Sequence, residues 1–68
     1  MTKKEIKVAL QEEYIVALAI FAEYIAKFDE EEQEDKLDEL DSITWEVAEE
    51  CDATDEWLEI FSALQMGI

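Results

Sequence analysis

The chain has 68 residues, half of them hydrophobic, and a formal net charge of −15 at pH 7. A chain of this length forms one domain and buries only about 60% of the surface that its unfolded form exposes, so its stability is small. The single cysteine excludes an internal disulfide, and the absence of histidine excludes Cys/His zinc patterns and histidine-based catalysis. The hydrophobic content is too high for a disordered acidic tail, and we expect a folded domain.

The charge is divided unevenly along the chain. Residues 1–28 hold four acids and four lysines, whereas residues 29–68 hold the other 16 acids with Lys36 alone. The neutral part also contains the longest apolar run, from Tyr14 to Ala22. This run is shorter than the roughly 20 residues of a membrane span, and no signal-peptide cleavage pattern accompanies it. We therefore expect a cytoplasmic protein that does not associate with a membrane.

The first predicted element is one long helix over about residues 3–28. Thr2 and Glu5 have the spacing of a capping box, in which both side chains bond to backbone donors at the helix start. Nearly every residue from Tyr14 to Ala26 is apolar, and an apolar arc this wide needs more than one neighbour. Because small domains gain stability by association, we expect a homodimer or higher oligomer through this helix. The predicted interface residues are Tyr14, Ile15, Leu18, Phe21, Ala22 and Ile25.

Two acidic helices are predicted to follow, over about residues 32–51 and 55–66. A turn is expected near Asp29 to Glu31, and Asp52 or Thr54 is expected to cap the third helix. Gly67 is expected to end that helix, with Ile68 making the hydrophobic contact that often follows. Helical spacing predicts the core positions, which are Leu37, Leu40, Thr44, Val47 and Cys51, widened by Ile43 and Ala48, and then Trp57, Ile60, Phe61 and Leu64. The fold class is therefore all-α, as a three-helix domain.

Few residues in this sequence suggest catalysis or metal binding. Two carboxylate pairs, Glu31/Glu34 and Glu49/Asp52, resemble the magnesium ligands of the all-helical MazG-type nucleotide pyrophosphohydrolases. The first pair lies in a run of acids where almost any spacing occurs, and the chain lacks obvious basic residues for a nucleotide. Glycine-rich phosphate loops and EF-hand loops are absent from the sequence. We therefore expect no enzyme activity, no cofactor and no metal.

Most of the carboxylates fall on the outward positions of the two acidic helices. One lysine against 16 acids exceeds what solubility requires, for which a net charge of about 2 to 8 is enough. Acids three or four residues apart lie about 5 to 6 Å apart on a helix face, and duplex DNA carries one phosphate per roughly 3.4 Å of axial rise on each strand, so a rigid acidic face can occupy a groove that binds nucleic acid. We therefore predict a partner-binding face. Its predicted residues are Glu32, Glu34, Asp35, Asp38, Glu39, Asp41, Trp45, Glu46, Glu49 and Glu50, with Asp55, Glu56 and Glu59 as a second patch.

Small size, extreme acidity, helical structure and a lack of catalytic groups together resemble the acidic, DNA-mimicking inhibitors of phages and mobile elements. That class includes anti-restriction and anti-CRISPR proteins, and the resemblance is one of composition over residues 29–68. It implies an inhibitor that binds a basic, nucleic-acid-handling protein and does not itself bind nucleic acid. Two alternatives stay open: an acidic adaptor that binds a basic protein through Trp45, Tyr24 or Phe28, and a self-assembling structural protein.

Overall fold

The computed structural model describes residues 1–67, and these residues form four α-helices and no strand. The helices are α1 (Lys3–Gln11), α2 (Tyr14–Ala26), α3 (Glu30–Glu50) and α4 (Thr54–Gly67). The all-α class is confirmed, but the domain has four helices and not three. The predicted contact of Ile68 lies outside the described residues. No helix in residues 1–67 is long and apolar enough to cross a membrane.

The predicted long first helix is wrong, because the chain breaks at Glu12 and Glu13. Glu12 has φ −80° and ψ 169°, and Glu13 has φ −59° and ψ 150°, so both residues are extended. A straight helix over residues 3–26 would be about 36 Å long, whereas the longest dimension of the domain is 32 Å. The break lets α1 and α2 fold against each other, with α1 packed on α3 and α2 on α4. Both segments thereby contribute to one core, α1 through Ile6, Ala9 and Leu10 and α2 through Ala17, Phe21 and Ile25.

The start of α1 has the predicted capping box. The backbone N–H of Glu5 donates to Thr2 Oγ1 at 3.2 Å, and the backbone N–H of Thr2 donates to Glu5 Oε1 at 3.1 Å. The Glu5 carboxylate accepts from the backbone N–H of Thr2 and, at 3.0 Å, from the Thr2 hydroxyl, and these two bonds hold the pKa of Glu5 below its ordinary value, helped by the charge of the chain's N-terminus and of Lys27. The first helix therefore begins where the sequence indicates.

The core faces of α3 and α4 match the sequence prediction closely. Thr44 is buried, and Leu37 and Cys51 are partly buried at the margin of the core. Ile43 departs from the prediction, because its side chain is 40% exposed and does not widen the core. The buried apolar residues of the two helices are Leu40, Val47 and Ala48 in α3 and Ile60, Phe61 and Leu64 in α4.

The turn between α3 and α4 is a Schellman motif centred on Asp52. Asp52 has φ 57°, the left-handed region that non-glycine residues occupy at a cost. The backbone N–H of Ala53 donates to the Ala48 carbonyl at 2.8 Å, and that of Asp52 donates to the Glu49 carbonyl at 3.4 Å. Asp52 thus ends α3, and α4 begins two residues later at Thr54. This tight turn lays α4 back against α3.

Candidate functional site

The outer face of α3 carries exposed carboxylates in two groups, one from Glu31 to Glu39 and the other from Glu46 to Glu50. At 100° per residue these acids lie opposite the stripe formed by Leu40, Thr44 and Val47 or on its flanks, so none of them points into the core. The helix begins at Glu30, within the predicted turn, and acids in its first turn are favoured by the helix dipole. We call this surface the α3 acidic face. All of its residues are exposed, and they are Glu31, Glu32, Glu34, Asp35, Asp38, Glu39, Glu46, Glu49 and Glu50.

Few cations neutralise the α3 acidic face. Within residues 1–67 the structure has two ion pairs, Lys36 Nζ to Glu39 Oε2 at 3.4 Å and Lys3 Nζ to Glu50 Oε1 at 4.0 Å. Both pairs have exposed members, and such pairs contribute little to stability. Lys36 also lies 5.3 Å from the ring centre of Phe28, which holds the lysine at the start of the helix. The remaining carboxylates leave a strongly negative surface.

The second predicted patch lies on α4, where Asp55, Glu56 and Glu59 are all exposed. Glu56 and Glu59 line a small cleft together with Glu12 and Tyr14, at the junction of α1 and α2. The structure therefore places these two acids beside the start of α2. They form a patch of their own, defined by the α1–α2 break that the sequence did not reveal.

Four aromatic rings run from the surface into the core. Trp45 and Trp57 meet edge to face with ring centres 4.7 Å apart, and Trp57 stacks on Phe61 at 5.0 Å with an interplanar angle of 14°. Phe61 then contacts Phe21 of α2 at 5.2 Å. Such pairs contribute about 0.5 to 1.5 kcal/mol beyond the area they bury. These ring contacts link Trp45, which is 37% exposed, to the buried core.

An open cleft of about 320 Å³ lies between α3 and α4, lined by Asp41, Ser42, Trp45, Trp57 and Leu58. We call it the tryptophan cleft. Trp45 was the predicted anchor on this side, whereas Ser42, Trp57 and Leu58 were not predicted as binding residues. Trp45 and Trp57 are twelve residues apart on different helices, and the sequence carries no signal of their contact. Only the Asp52 turn brings them together.

Asp41 is less exposed than the other predicted acids. Its carboxyl is partly buried, and its Oδ1 is hidden from solvent with no hydrogen-bond partner within the described residues. Loss of solvation raises the pKa of Asp41 above its ordinary value, and repulsion from Asp38 raises it further. Asp41 therefore belongs to the wall of the tryptophan cleft more than to the α3 acidic face.

The predicted oligomer interface divides into buried and exposed positions. Phe21 and Ile25 are 0% and 1% exposed within a single chain, so the prediction that they meet a second copy is corrected: they belong to the chain's own core. Tyr14 and Ile15 are 44% and 69% exposed. Leu18 and Ala22 are half-buried against the core, next to these two on the outer side of α2. What is left of the predicted interface is therefore the outer side of α2.

No group of three or more histidine, cysteine or acidic side chains in residues 1–67 has an arrangement that could hold a metal ion. Cys51 is a free, half-buried thiol at the end of α3.

Comparison with protein-family models found none that matches the chain, and comparisons with curated proteins and with solved structures found no match either. The site itself therefore carries the argument about function.

Proposed function

We propose that this protein is a non-enzymatic inhibitor that binds a basic, nucleic-acid-handling protein through the α3 acidic face. The observation that carries the proposal is the display of exposed carboxylates along one 21-residue helix with so few cations to pair them. Like charges at this spacing repel one another and destabilise the free protein. Because this face lowers the stability of the free protein and takes no part in core packing, we infer that its role is to bind a partner.

The dimensions of the face support mimicry of a nucleic-acid backbone. A helix of 21 residues is about 31 Å long, an axial length over which one strand of duplex DNA carries about nine phosphates. A basic groove built to attract phosphates would attract this helix in the same way and release counterions on binding it. In this proposal the protein occupies the groove and thereby excludes nucleic acid. It does not bind nucleic acid itself, because both are anionic.

The second candidate is an acidic adaptor that binds a basic protein without blocking its nucleic-acid site. The tryptophan cleft favours this candidate, because exposed Trp45 and Leu58 offer an apolar anchor that a pure phosphate mimic does not require. Competition separates the two. An inhibitor of the mimic type is displaced from its target by added DNA or RNA, whereas an adaptor forms a ternary complex with target and nucleic acid.

The direct experiment is capture of partners from a nuclease-treated bacterial lysate by the purified protein and by two charge-reversed variants. Reversal of Asp38, Glu46 and Glu49 to lysine on the α3 acidic face should abolish capture of a basic, nucleic-acid-binding protein. The matched control reverses Glu12, Glu13 and Glu23 to lysine, which changes the net charge equally on the neutral part of the chain. Circular dichroism should show unchanged helicity for both. Equal capture by both variants would refute the electrostatic model.

A homodimer through the outer side of α2 completes the proposal. The interface residues left exposed or half-buried are Tyr14, Ile15, Leu18 and Ala22. Residues 1–28 are formally neutral, so two copies can meet there without opposing their acidic faces. Light scattering coupled to size exclusion should give a mass of two chains, and Ile15→Glu should give one. A monomer at all concentrations would end this part of the proposal.

A further inference from the structure

We propose that the tryptophan cleft binds an arginine side chain of the partner protein. This inference rests on the proposed function in one respect, namely that the partner is basic. It adds a specific contact to what is otherwise long-range attraction, and it assigns that contact to residues outside the α3 acidic face.

The cleft offers two surfaces that suit the two parts of an arginine side chain. Trp45 and Leu58, which are 37% and 51% exposed, form an apolar surface against which the aliphatic stem can pack. Aromatic rings attract cations over their faces, and arginine makes this contact more often than lysine does. Trp45 packs edge to face on Trp57, and Trp57 is itself held by stacking on Phe61 and by its hydrogen bond to Thr44. The Trp45 part of the apolar surface is therefore already in place before a ligand binds.

Asp41 supplies the charge complementarity within the cleft. Its Oδ1 lacks a hydrogen-bond partner in the described part of the chain, and an unpaired buried acceptor is unfavourable. Asp41 and Trp45 are four residues apart on α3 and therefore neighbours on one side of the helix. A guanidinium placed over the indole can therefore donate a charge-assisted hydrogen bond to Oδ2 of Asp41, the carboxylate oxygen that is not hidden from solvent. Binding would then place a counter-charge beside a partly desolvated carboxylate that has no ion-pair partner within residues 1–67.

A second copy of this chain is a poor occupant of the cleft. The chain contains five basic residues, and all of them are lysines. Lysine carries a compact, strongly hydrated charge that does not stack flat on an indole as a guanidinium does. The acidic surroundings would also repel another acidic protein. The occupant is therefore an arginine of a different, basic protein.

The test uses nuclear magnetic resonance titration of the whole protein with three blocked pentapeptides, each having lysine at both ends and leucine beside the central residue. The central residue is arginine, lysine or citrulline, and citrulline has the shape of arginine without its charge. The two tryptophans of the chain give separate indole N–H signals that report on the cleft. We expect the arginine peptide to shift both indole signals and to bind about tenfold more tightly than the citrulline peptide, with the lysine peptide between them.

Variants assign the effect to the cleft. Asp41→Asn and Trp45→Ala should each remove most of the preference for arginine, whereas Asp35→Asn, which deletes the same charge from an exposed position of α3, should retain it. Equal affinities of the three peptides would overturn the proposal. So would shifts confined to backbone signals of the α3 acidic face, and that outcome would leave the proposed function intact. The two proposals can also separate in the other direction. If the arginine peptide shifts the indole signals but reversal of Asp38, Glu46 and Glu49 leaves partner capture unchanged, the proposed function is refuted and the proposal for the cleft stands.

Discussion

The indole Nε1–H of Trp57 donates a 2.8 Å hydrogen bond to Oγ1 of Thr44, and this bond joins α4 to the buried side of α3. The Thr44 hydroxyl in turn donates to the Leu40 carbonyl one turn earlier in its own helix. Thr44 is 0% exposed, so its hydroxyl is a buried polar group with its hydrogen-bonding capacity used. The bond also orients the Trp57 ring between Trp45 and Phe61 and thereby shapes the tryptophan cleft.

Replacing Thr44 with valine should destabilise the protein by about 1 to 3 kcal/mol, because the partly buried Trp57 indole would lose its acceptor while volume is nearly kept. Urea denaturation measures the free energy of unfolding. In a W57F background the same T44V change should cost much less, since no indole donor is left unpaired. An equal cost in both backgrounds would show that the hydrogen bond does not stabilise the fold.

Replacing Asp52 with glycine should stabilise the protein relative to replacement with alanine by about 1 kcal/mol. Both variants remove the same carboxylate, but Asp52 has φ 57°, where glycine avoids the steric cost that a Cβ imposes. The comparison therefore isolates the backbone of the Schellman turn from its charge. Thermal denaturation of the two variants checks the difference, and identical midpoints would mean that this turn relaxes to another conformation.

Asp41 should make the fold less stable as pH rises through the acid range. Its carboxyl has a pKa raised by loss of solvation and by Asp38, so the folded state binds more protons than the unfolded state, whose ordinary pKa is 3.8. Stability from this group is complete below that value and is lost as pH rises through the raised pKa of the folded state. Asp41→Asn, neutral at every pH, should lack this loss.

The measurement is the free energy of unfolding by urea at a series of pH values, compared between the native chain, D41N and D35N. D35N removes the same formal charge from an exposed position of the same helix, so it should keep the pH dependence that Asp41 causes. If the two variants have parallel pH profiles, the desolvation of Asp41 has no effect on folding.

Added salt should raise the thermal midpoint of the free protein and weaken its complex with a basic target. Screening shortens the reach of charge interactions from about 30 Å at 0.01 M to about 3 Å at 1 M, which relieves repulsion within the acidic face and attraction to a partner alike. A variant with Glu31, Glu34 and Asp38 changed to their amides should show a smaller rise. A thermal midpoint that does not move with salt in the native chain would indicate that the acids are not crowded.

Local chemistry could be predicted wherever one helix and its own side chains decide the outcome. The capping box of Thr2 and Glu5 depends on a three-residue spacing, and it forms as expected. The core face of α3 follows from the positions of Leu40, Thr44 and Val47, and the same periodicity places the acids outward. The break at Glu12 and Glu13 could not be predicted in this way, because no proline or glycine marks it. It follows from the need to fit both apolar segments into one core.

The sequence by itself determined an all-α domain with a neutral segment, an acidic segment and carboxylates directed away from a core stripe, because these features depend on composition and helical period. Only the tertiary structure decided which apolar residues stay exposed, since burial depends on neighbours distant in sequence. It enclosed Phe21 and Ile25 and left Ile15 outside. It also brought Trp45 to Trp57 across the Asp52 turn and removed Asp41 from solvent, creating a cleft that periodicity within one helix cannot reveal.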